Sequence, residues 1–281
     1  MSLIDLHLHT TASDGRSSPE LLVRELIAAG ITTFAVADHD TVAAIPVVRG
    51  LAEDARLEFV PGVEITAVHQ GRDVHMLGYF FDADAPALLQ FLEDSRSDRL
   101  RRARQMCEKL TACDVPVSFD ELVQQAGPTS GKSIARPLVA KALLRAGHVS
   151  TVQEAFDRFL AEGRPAYVAR TGASPAEVVR LIADAGGVTS LAHPGPLGRD
   201  ELIPALAAAG LTAIECFHSE HDAATTTRYL GLADTHDLLV TGGSDFHGAD
   251  DRRADALGRV GLPRDRFERF VERARLARQR N

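Results

Sequence analysis

The sequence predicts an α/β fold, a TIM-like barrel carrying a helical insertion. Three observations predict it. A unit recurs in which a helix ending at Ala-Gly precedes a short apolar strand and then a polar residue, as at 18–40, 174–194 and 204–218. Seven segments have the length and apolar character of strands, at 3–8, 33–37, 58–63, 73–81, 188–192, 212–217 and 238–242. From 87 to 163 no such strand occurs, and helical patterns follow one another. Helices alternating with short apolar strands indicate βα units and a parallel sheet. Seven strands suggest a closed or nearly closed barrel, with its chemistry at the C-terminal ends of the strands.

Each element has a local reason. Ser18-Pro19-Glu20 supplies a cap residue and a proline for the first helical turn. Gly30 ends that helix before strand 33–37 and Asp38-His39-Asp40. Ser174-Pro175-Ala176-Glu177 repeats the start, Gly186 the stop and 188–192 the strand, followed by His193-Pro194. Pro204 to Gly210, strand 212–217 and His218 form the third copy. Within the interruption, 88–110 is strongly helical and rich in arginine, and 119–126, 134–146 and 152–162 read as shorter helices. The barrel is therefore predicted to be discontinuous, 1–86 with 164–281, around a helical insertion at 87–163 that returns at Tyr167. Residues 264–280 read as a closing amphipathic helix with a charged face.

Composition bounds the function. The chain has 281 residues, 45% apolar and 25% charged, which excludes wholesale disorder. No apolar run approaches the roughly 18 residues of a membrane span. The first residues enter a strand pattern without a basic-then-apolar leader, so a cytoplasmic location is expected. A net charge of −8 argues against broad coating of nucleic acid, and no extended DNA binding is expected. A small anionic substrate in a local basic pocket is compatible with it. Cys107, Cys113 and Cys216 are odd in number and lack zinc-site spacing, so they read as reduced thiols.

Histidine and carboxylate residues gather where strands end. His7 and His9 alternate on the first strand and project to one face. Asp14 follows in the next loop. Later strand ends carry His39, Glu64, His193 and Asp245-Phe246-His247, and His75 lies inside the fourth strand pattern. Burying so many titratable groups without an ion is costly, so a metal cluster is the simpler explanation. Imidazole and carboxylate without thiolate suit Mn, Fe or Zn. The ligands exceed the needs of one ion, so two or three are expected, with Glu64 and Asp245 in bridging positions. His69, His148 and His236 read as structural.

Asp5-Leu6-His7-Leu8-His9-Thr10, Thr11-Ala12-Ser13-Asp14-Gly15, Ala37-Asp38-His39-Asp40, Pro61-Gly62-Val63-Glu64, Val74-His75, Ala192-His193-Pro194 and Gly243-Ser244-Asp245-Phe246-His247 together resemble the signature of the PHP (polymerase and histidinol phosphatase) family. The likeness runs nearly end to end and is greatest to the TrpH/YciV-type phosphoesterases, which include RNase AM and the nucleoside 3′,5′-bisphosphate phosphatases. It implies a distorted (β/α)7 barrel and a metal-dependent phosphoesterase with manganese as the first choice of ion. By the family pattern, His7, His9, Glu64 and Asp245 hold one ion and Glu64, His75 and His193 a second. Asp14, His39 and His247 hold a third or face the substrate phosphate directly; the sequence leaves both open.

The insertion bears on substrate. Arg96, Arg99, Arg101, Arg102 and Arg104 crowd one helix, most of them readable as a solvated face, and Arg99 and Arg102 match an Arg-x-x-Arg feature of the similar enzymes. Lys132, Ser133 and Arg136 stand at a helix start, where free N–H groups favour an anion or serve as ordinary caps. Arg136 matches the Arg of an Arg-Pro-His-type segment, but the expected His is Leu138 here.

These features suggest a substrate with two anionic ends, one phosphate at the ions and one in the Arg/Lys pocket. Nucleoside 3′,5′-bisphosphates fit, with loss of the 3′-phosphate to attacking hydroxide held by the ions. A 5′→3′ exoribonuclease acting on short 5′-phosphorylated RNA fits as well. Asp245 is placed in the catalytic centre, and His218 is a candidate to assist the leaving group. His221 is a candidate substrate contact. An amidohydrolase-type C–N hydrolase shares the His-x-His start, but no Lys stands at a central strand end. A non-catalytic metal- or nucleic-acid-binding module is the remaining alternative.

Overall fold

Hydrophobic alternation and helix caps produce the elements in chain order. A computed structural model describes residues 3–126 and 136–279. Its strands are β1 (Leu3–Leu8), β2 (Ile31–Val36), β3 (Glu58–His69), β4 (Arg72–Tyr79), β5 (Val188–Leu191), β6 (Ala213–His218) and β7 (Leu239–Gly243). Its helices are α1 (Pro19–Ala28), α2 (Ile45–Ala55), α3 (Pro86–Thr111), α4 (Phe119–Ala126), α5 (Arg136–Arg145), α6 (Val152–Ala155), α7 (Pro175–Asp184), α8 (Pro194–Leu197), α9 (Ile203–Ala208), α10 (Ala223–Thr235) and α11 (Arg264–Arg278). The caps act as their residue types dictate. Ser18 accepts from the Leu21 N–H, and Ser174 and Glu177 form a reciprocal capping box.

The seven strands form one sheet ordered as in the chain. At the rim, β1 and β7 close on each other. The Asp245 N–H donates to the His7 carbonyl at 2.9 Å and the His9 N–H to the Phe246 carbonyl at 3.0 Å. Gly243 permits this approach, because a Cβ there would lie 2.4 Å from the His7 nitrogen. The result is a nearly closed seven-stranded barrel alternating with helices.

The sheet is not wholly parallel, which corrects the expectation. β4 runs antiparallel to both β3 and β5. The cause is local. Gln70 and Gly71 both have positive φ, +50° and +76°, and so make a two-residue hairpin turn. β3 consequently runs on to His69, six residues past the end expected, and Glu64 sits within the strand instead of at its end. The returning strand pairs His75 with Thr66, which brings the imidazole beside Glu64.

Two apolar clusters matter for the site. One fills the barrel and its outer helices, with Leu6, Val63, Ile65, Leu77, Tyr79, Ile182 and Ile214 buried. Another is confined to the segment after β4, with Met106, Leu110, Leu122, Val139, Leu143 and Leu160 buried. On α3, Arg99 and Arg102 face inward while Arg96, Arg101 and Arg104 are exposed. All three cysteines are free. Among the described residues no helix is long and apolar enough to cross a membrane.

Candidate metal centre and substrate cleft

Glu64, almost wholly buried, is the hub. Its Oε2 lies 3.2 Å from His7 Nε2, 3.4 Å from His9 Nε2 and 3.2 Å from His39 Nδ1. Its Oε1 lies 2.8 Å from His75 Nδ1 and 3.0 Å from His193 Nε2. Asp245 Oδ1 is 3.6 Å from His7 Nε2, 3.2 Å from His9 Nε2 and 3.4 Å from His247 Nδ1. Asp14 closes the cluster, 3.3 Å from His247 Nε2, 3.7 Å from His9 Nδ1 and 3.8 Å from His39 Nε2. The structure thus brings His7, His9, Asp14, His39, Glu64, His75, His193, Asp245 and His247 into one connected group at the rim. Two of them hold strained backbone, His193 at φ +26° and Asp245 at φ +55°.

Electrostatics follow from this crowding. Burial alone raises the pKa of Glu64, yet the imidazoles of His39, His75 and His7 carry it well below the carboxylate range. Asp245 is likewise held low against burial, by His7, His218 and His9. Burial lowers His7, but the carboxylates of Glu215, Glu64 and Asp245 lift it well above the usual value. His247 rises to about 9 despite burial, through Asp14 and Asp245. His9, His39 and His193 are depressed, chiefly by burial.

The donor set fits metal. Among the described residues four ring nitrogens are buried near carboxylates yet in no aligned hydrogen bond: both of His9, Nδ1 of His39 and Nδ1 of His75. Such orphans are expensive unless a further group satisfies them. Among the described residues four sets have ligand atoms within 4.8 Å of one another: His9, Asp14, His39 and His247; His7, His9 and Asp245; His39, Glu64 and His75; and His7, Glu215 and His218, the last with His7 Nδ1 already hydrogen-bonded to Glu215. Because the ligands come together only in the folded chain, Mn²⁺ at a hundredfold excess over Kd is expected to add about 2.7 kcal/mol of stability. That raises Tm by roughly 5–10 °C in a chain of this size, reversibly with EDTA by scanning calorimetry. An unmoved Tm would count against the centre.

An outer layer holds the ligands. Glu215 Oε1 accepts from His7 Nδ1 at 2.9 Å, and Oε2 accepts the His193 N–H at 2.8 Å. Asp245 Oδ2 lies 2.5 Å from Arg253 Nη1 and 3.3 Å from His218 Nε2. His218 Nδ1 accepts the Glu220 N–H at 3.1 Å, so both its ring nitrogens are engaged behind Asp245. His221 is similarly committed, donating from Nδ1 to the Cys216 carbonyl at 2.9 Å and accepting the Gly195 N–H at 3.1 Å. It braces the turn that carries His193.

Arg99 and Arg102 part company. Arg99 Nη1 donates to Asp40 Oδ2 at 2.6 Å in a buried pair, and Asp40 also accepts the Thr66 N–H and hydroxyl. This ties α3 to the segment bearing His39. Arg99→Ala is expected to lower stability by about 3–5 kcal/mol, because Asp40 keeps its burial and loses a buried cation. Urea unfolding of the metal-free protein measures it.

Arg102 and Arg136 instead line a cleft of about 840 Å³. Asp14, His39, His75 and His247 form the barrel side of the cleft. Arg16, Arg102, Arg136, Lys141, Arg145 and Arg170 line the cleft as well, against two further acids, Asp73 and Asp251. This concentration of cations stands out in a chain of net charge −8. Lys132 and Ser133 lie outside the described residues.

Sequence reasoning missed Glu215, Arg253, Asp40, Arg170, Lys141 and Arg145. Glu215 carried a signal, an acid flanked by Ile214 and Cys216 inside an apolar strand. Lys141 and Arg145 follow Arg136 on one helix but needed the cleft to show their direction.

Comparison with known proteins agrees with this geometry. A family model described as the PHP domain matches residues 5–161. The chain is 32% identical to the 5′-3′ exoribonuclease Rnm of Salmonella typhimurium over 256 residues, covering 87% of this chain and 85% of that protein. It is also 32% identical to a 3′,5′-nucleoside bisphosphate phosphatase of Chromobacterium violaceum over 268 residues, covering 94% and 93%. The crystal structure of a Bifidobacterium adolescentis protein assigned as a metal-dependent phosphoesterase superposes with a TM-score of 0.83 at 33% identity, covering 97% of this chain and 96% of the other.

Proposed function

The chain belongs to the PHP domain family of metal-dependent phosphoesterases, and from that premise we propose that it removes the 3′-phosphate of nucleoside 3′,5′-bisphosphates. The observation that carries this reading is the single cleft joining the ligand cluster to a cationic wall. A substrate phosphate at the rim leaves a second anionic group within reach of Arg102 and Arg136. Anchoring that remote phosphate orients the ester to be cleaved, so binding energy far from the reaction contributes to its rate.

Two or three divalent ions, manganese first with iron or zinc as alternatives, are the proposed cofactors. His7, His9, Glu64 and Asp245 would hold one, and Glu64, His75 and His193 another, with Asp14, His39 and His247 around a third or against the phosphate. When bound, such ions activate water and offset charge on phosphoryl oxygens. The chain's own residues supply the rest. Glu64 and Asp245 remain ionised at neutral pH, and His218 and Arg253 fix the direction in which Asp245 points.

A second reading is a 5′→3′ exoribonuclease on short 5′-phosphorylated RNA. It draws support from the cation row, which extends past Arg136 to Lys141 and Arg145 on α5. One experiment separates the readings. Phosphate release from adenosine 3′,5′-bisphosphate is compared with release from AMP and with nucleotide release from a 5′-phosphorylated tetranucleotide, with metal analysis of the same sample. Rapid turnover of the bisphosphate alone supports the phosphatase. Faster cleavage of the oligonucleotide supports the nuclease, and inertness toward all three rejects both.

A further inference from the structure

Glu215 on β6 is wholly buried, and its two oxygens serve two different donors. Oε1 takes His7 Nδ1–H at 2.9 Å, and Oε2 takes the backbone N–H of His193 at 2.8 Å. His7 thereby turns Nε2 toward Glu64 Oε2 and Asp245 Oδ1, at 3.2 and 3.6 Å. His193 stands at φ +26° and faces the opposite oxygen of Glu64 at 3.0 Å. β6 loses its regular register with β7 between Glu215 and Phe217, the kind of irregularity that re-aims a side chain.

We infer that Glu215 is a positioning residue for ligands on both sides of Glu64: one oxygen fixes the His7 tautomer that leaves Nε2 free to ligate, and the other holds the strained turn that delivers His193. The inference rests on the metal-centre reading. An imidazole without such an acceptor presents either nitrogen, whereas a buried carboxylate selects one tautomer and one ring orientation. The His193 N–H needs the second oxygen for a separate reason. A buried amide with no acceptor is rarely tolerated, and here it would lie in a turn that already carries an unfavourable φ. With both oxygens committed, Glu215 acts through His7 and His193 and is not itself a ligand.

The test uses Glu215→Gln. The amide has the same shape but only one acceptor oxygen, so either His7 Nδ1–H or the His193 N–H meets an NH₂ group. The Kd of the folded protein for Mn²⁺, by equilibrium dialysis with metal analysis, is expected to weaken about 10–100-fold. The circular dichroism of the metal-free protein should be unchanged, and excess Mn²⁺ should restore most of the turnover. A folded variant that binds Mn²⁺ like the wild type overturns the inference. If the variant does not fold, the wild type decides by ¹⁵N NMR of the Zn²⁺-loaded protein. Protonation of His7 at Nδ1 supports the assignment, and protonation at Nε2 rejects it. A wild-type chain that takes up no metal at all removes the metal centre itself, a distinguishable failure.

Discussion

Glu64→Ala is expected to reduce kcat/KM by on the order of a thousandfold or more, with loss of bound metal and retention of the barrel. The size of the effect follows from the geometry. Five imidazoles face the two oxygens of this one carboxylate, three on Oε2 and two on Oε1. Alanine deletes the anion that all five share. Of the other ligand carboxylates, Asp245 shares His7 Nε2 and His9 Nε2 with Glu64 and Asp14 faces His9 Nδ1, and among the described contacts neither reaches His75 or His193 within ion-pair distance. The variant therefore keeps part of one ligand set and loses the link to the other. Glu64→Gln refines the test by preserving shape while removing the charge, and it should also be severely impaired. Turnover and metal content are measured on the same preparations in added Mn²⁺. Undiminished turnover in the alanine variant would reject Glu64 as the bridging residue.

The barrel was legible because its strands are short apolar runs bounded by turn residues, and each of the seven starts within two residues of its expected place. The ligands were legible for a related reason. A His or Asp directly after an apolar strand has few roles other than to face the rim, and several such residues in one chain imply a common centre. Strand direction was not legible. Nothing in the composition of 73–81 separates a parallel strand from an antiparallel one, and the deciding feature is the pair of positive φ angles at Gln70 and Gly71. His75 illustrates the consequence: it lies early in its strand, where a parallel β4 would place it at the far end of the barrel.

Long-range partners were less visible still. Arg253 stands eight residues beyond Asp245 in an irregular segment, and only the folded chain shows its guanidinium on that carboxylate. Arg99 and Arg102 show the opposite limit of motif reasoning. They share one motif and one helix face, yet Arg99 is spent on Asp40 while Arg102 reaches the cleft. Three positions along a helix rotate a side chain enough to separate an interior ion pair from a substrate wall.

Arg136→Ala is expected to raise KM for substrates with two phosphates by about 10–100-fold, the range for losing one hydrogen bond to a charged group. For p-nitrophenyl phosphate, which has a single phosphate, KM and kcat should change little. The contrast arises because Arg136 lines the same cleft as the ligand cluster and is not among its members. On the proposed reading its guanidinium meets the remote phosphate and not the reacting one. Neighbouring Arg102 and Arg170 keep the wall cationic, so the loss is partial and should grow when Arg102 is removed as well. Raised ionic strength should shrink the wild-type advantage of the two-phosphate substrate, since the cleft is open to solvent and its charges are screened. Steady-state kinetics with adenosine 3′,5′-bisphosphate and p-nitrophenyl phosphate, at two salt concentrations, measure all three effects. Equal losses on both substrates would place Arg136 in the reaction centre or in the fold, and would remove the argument for a two-ended pocket.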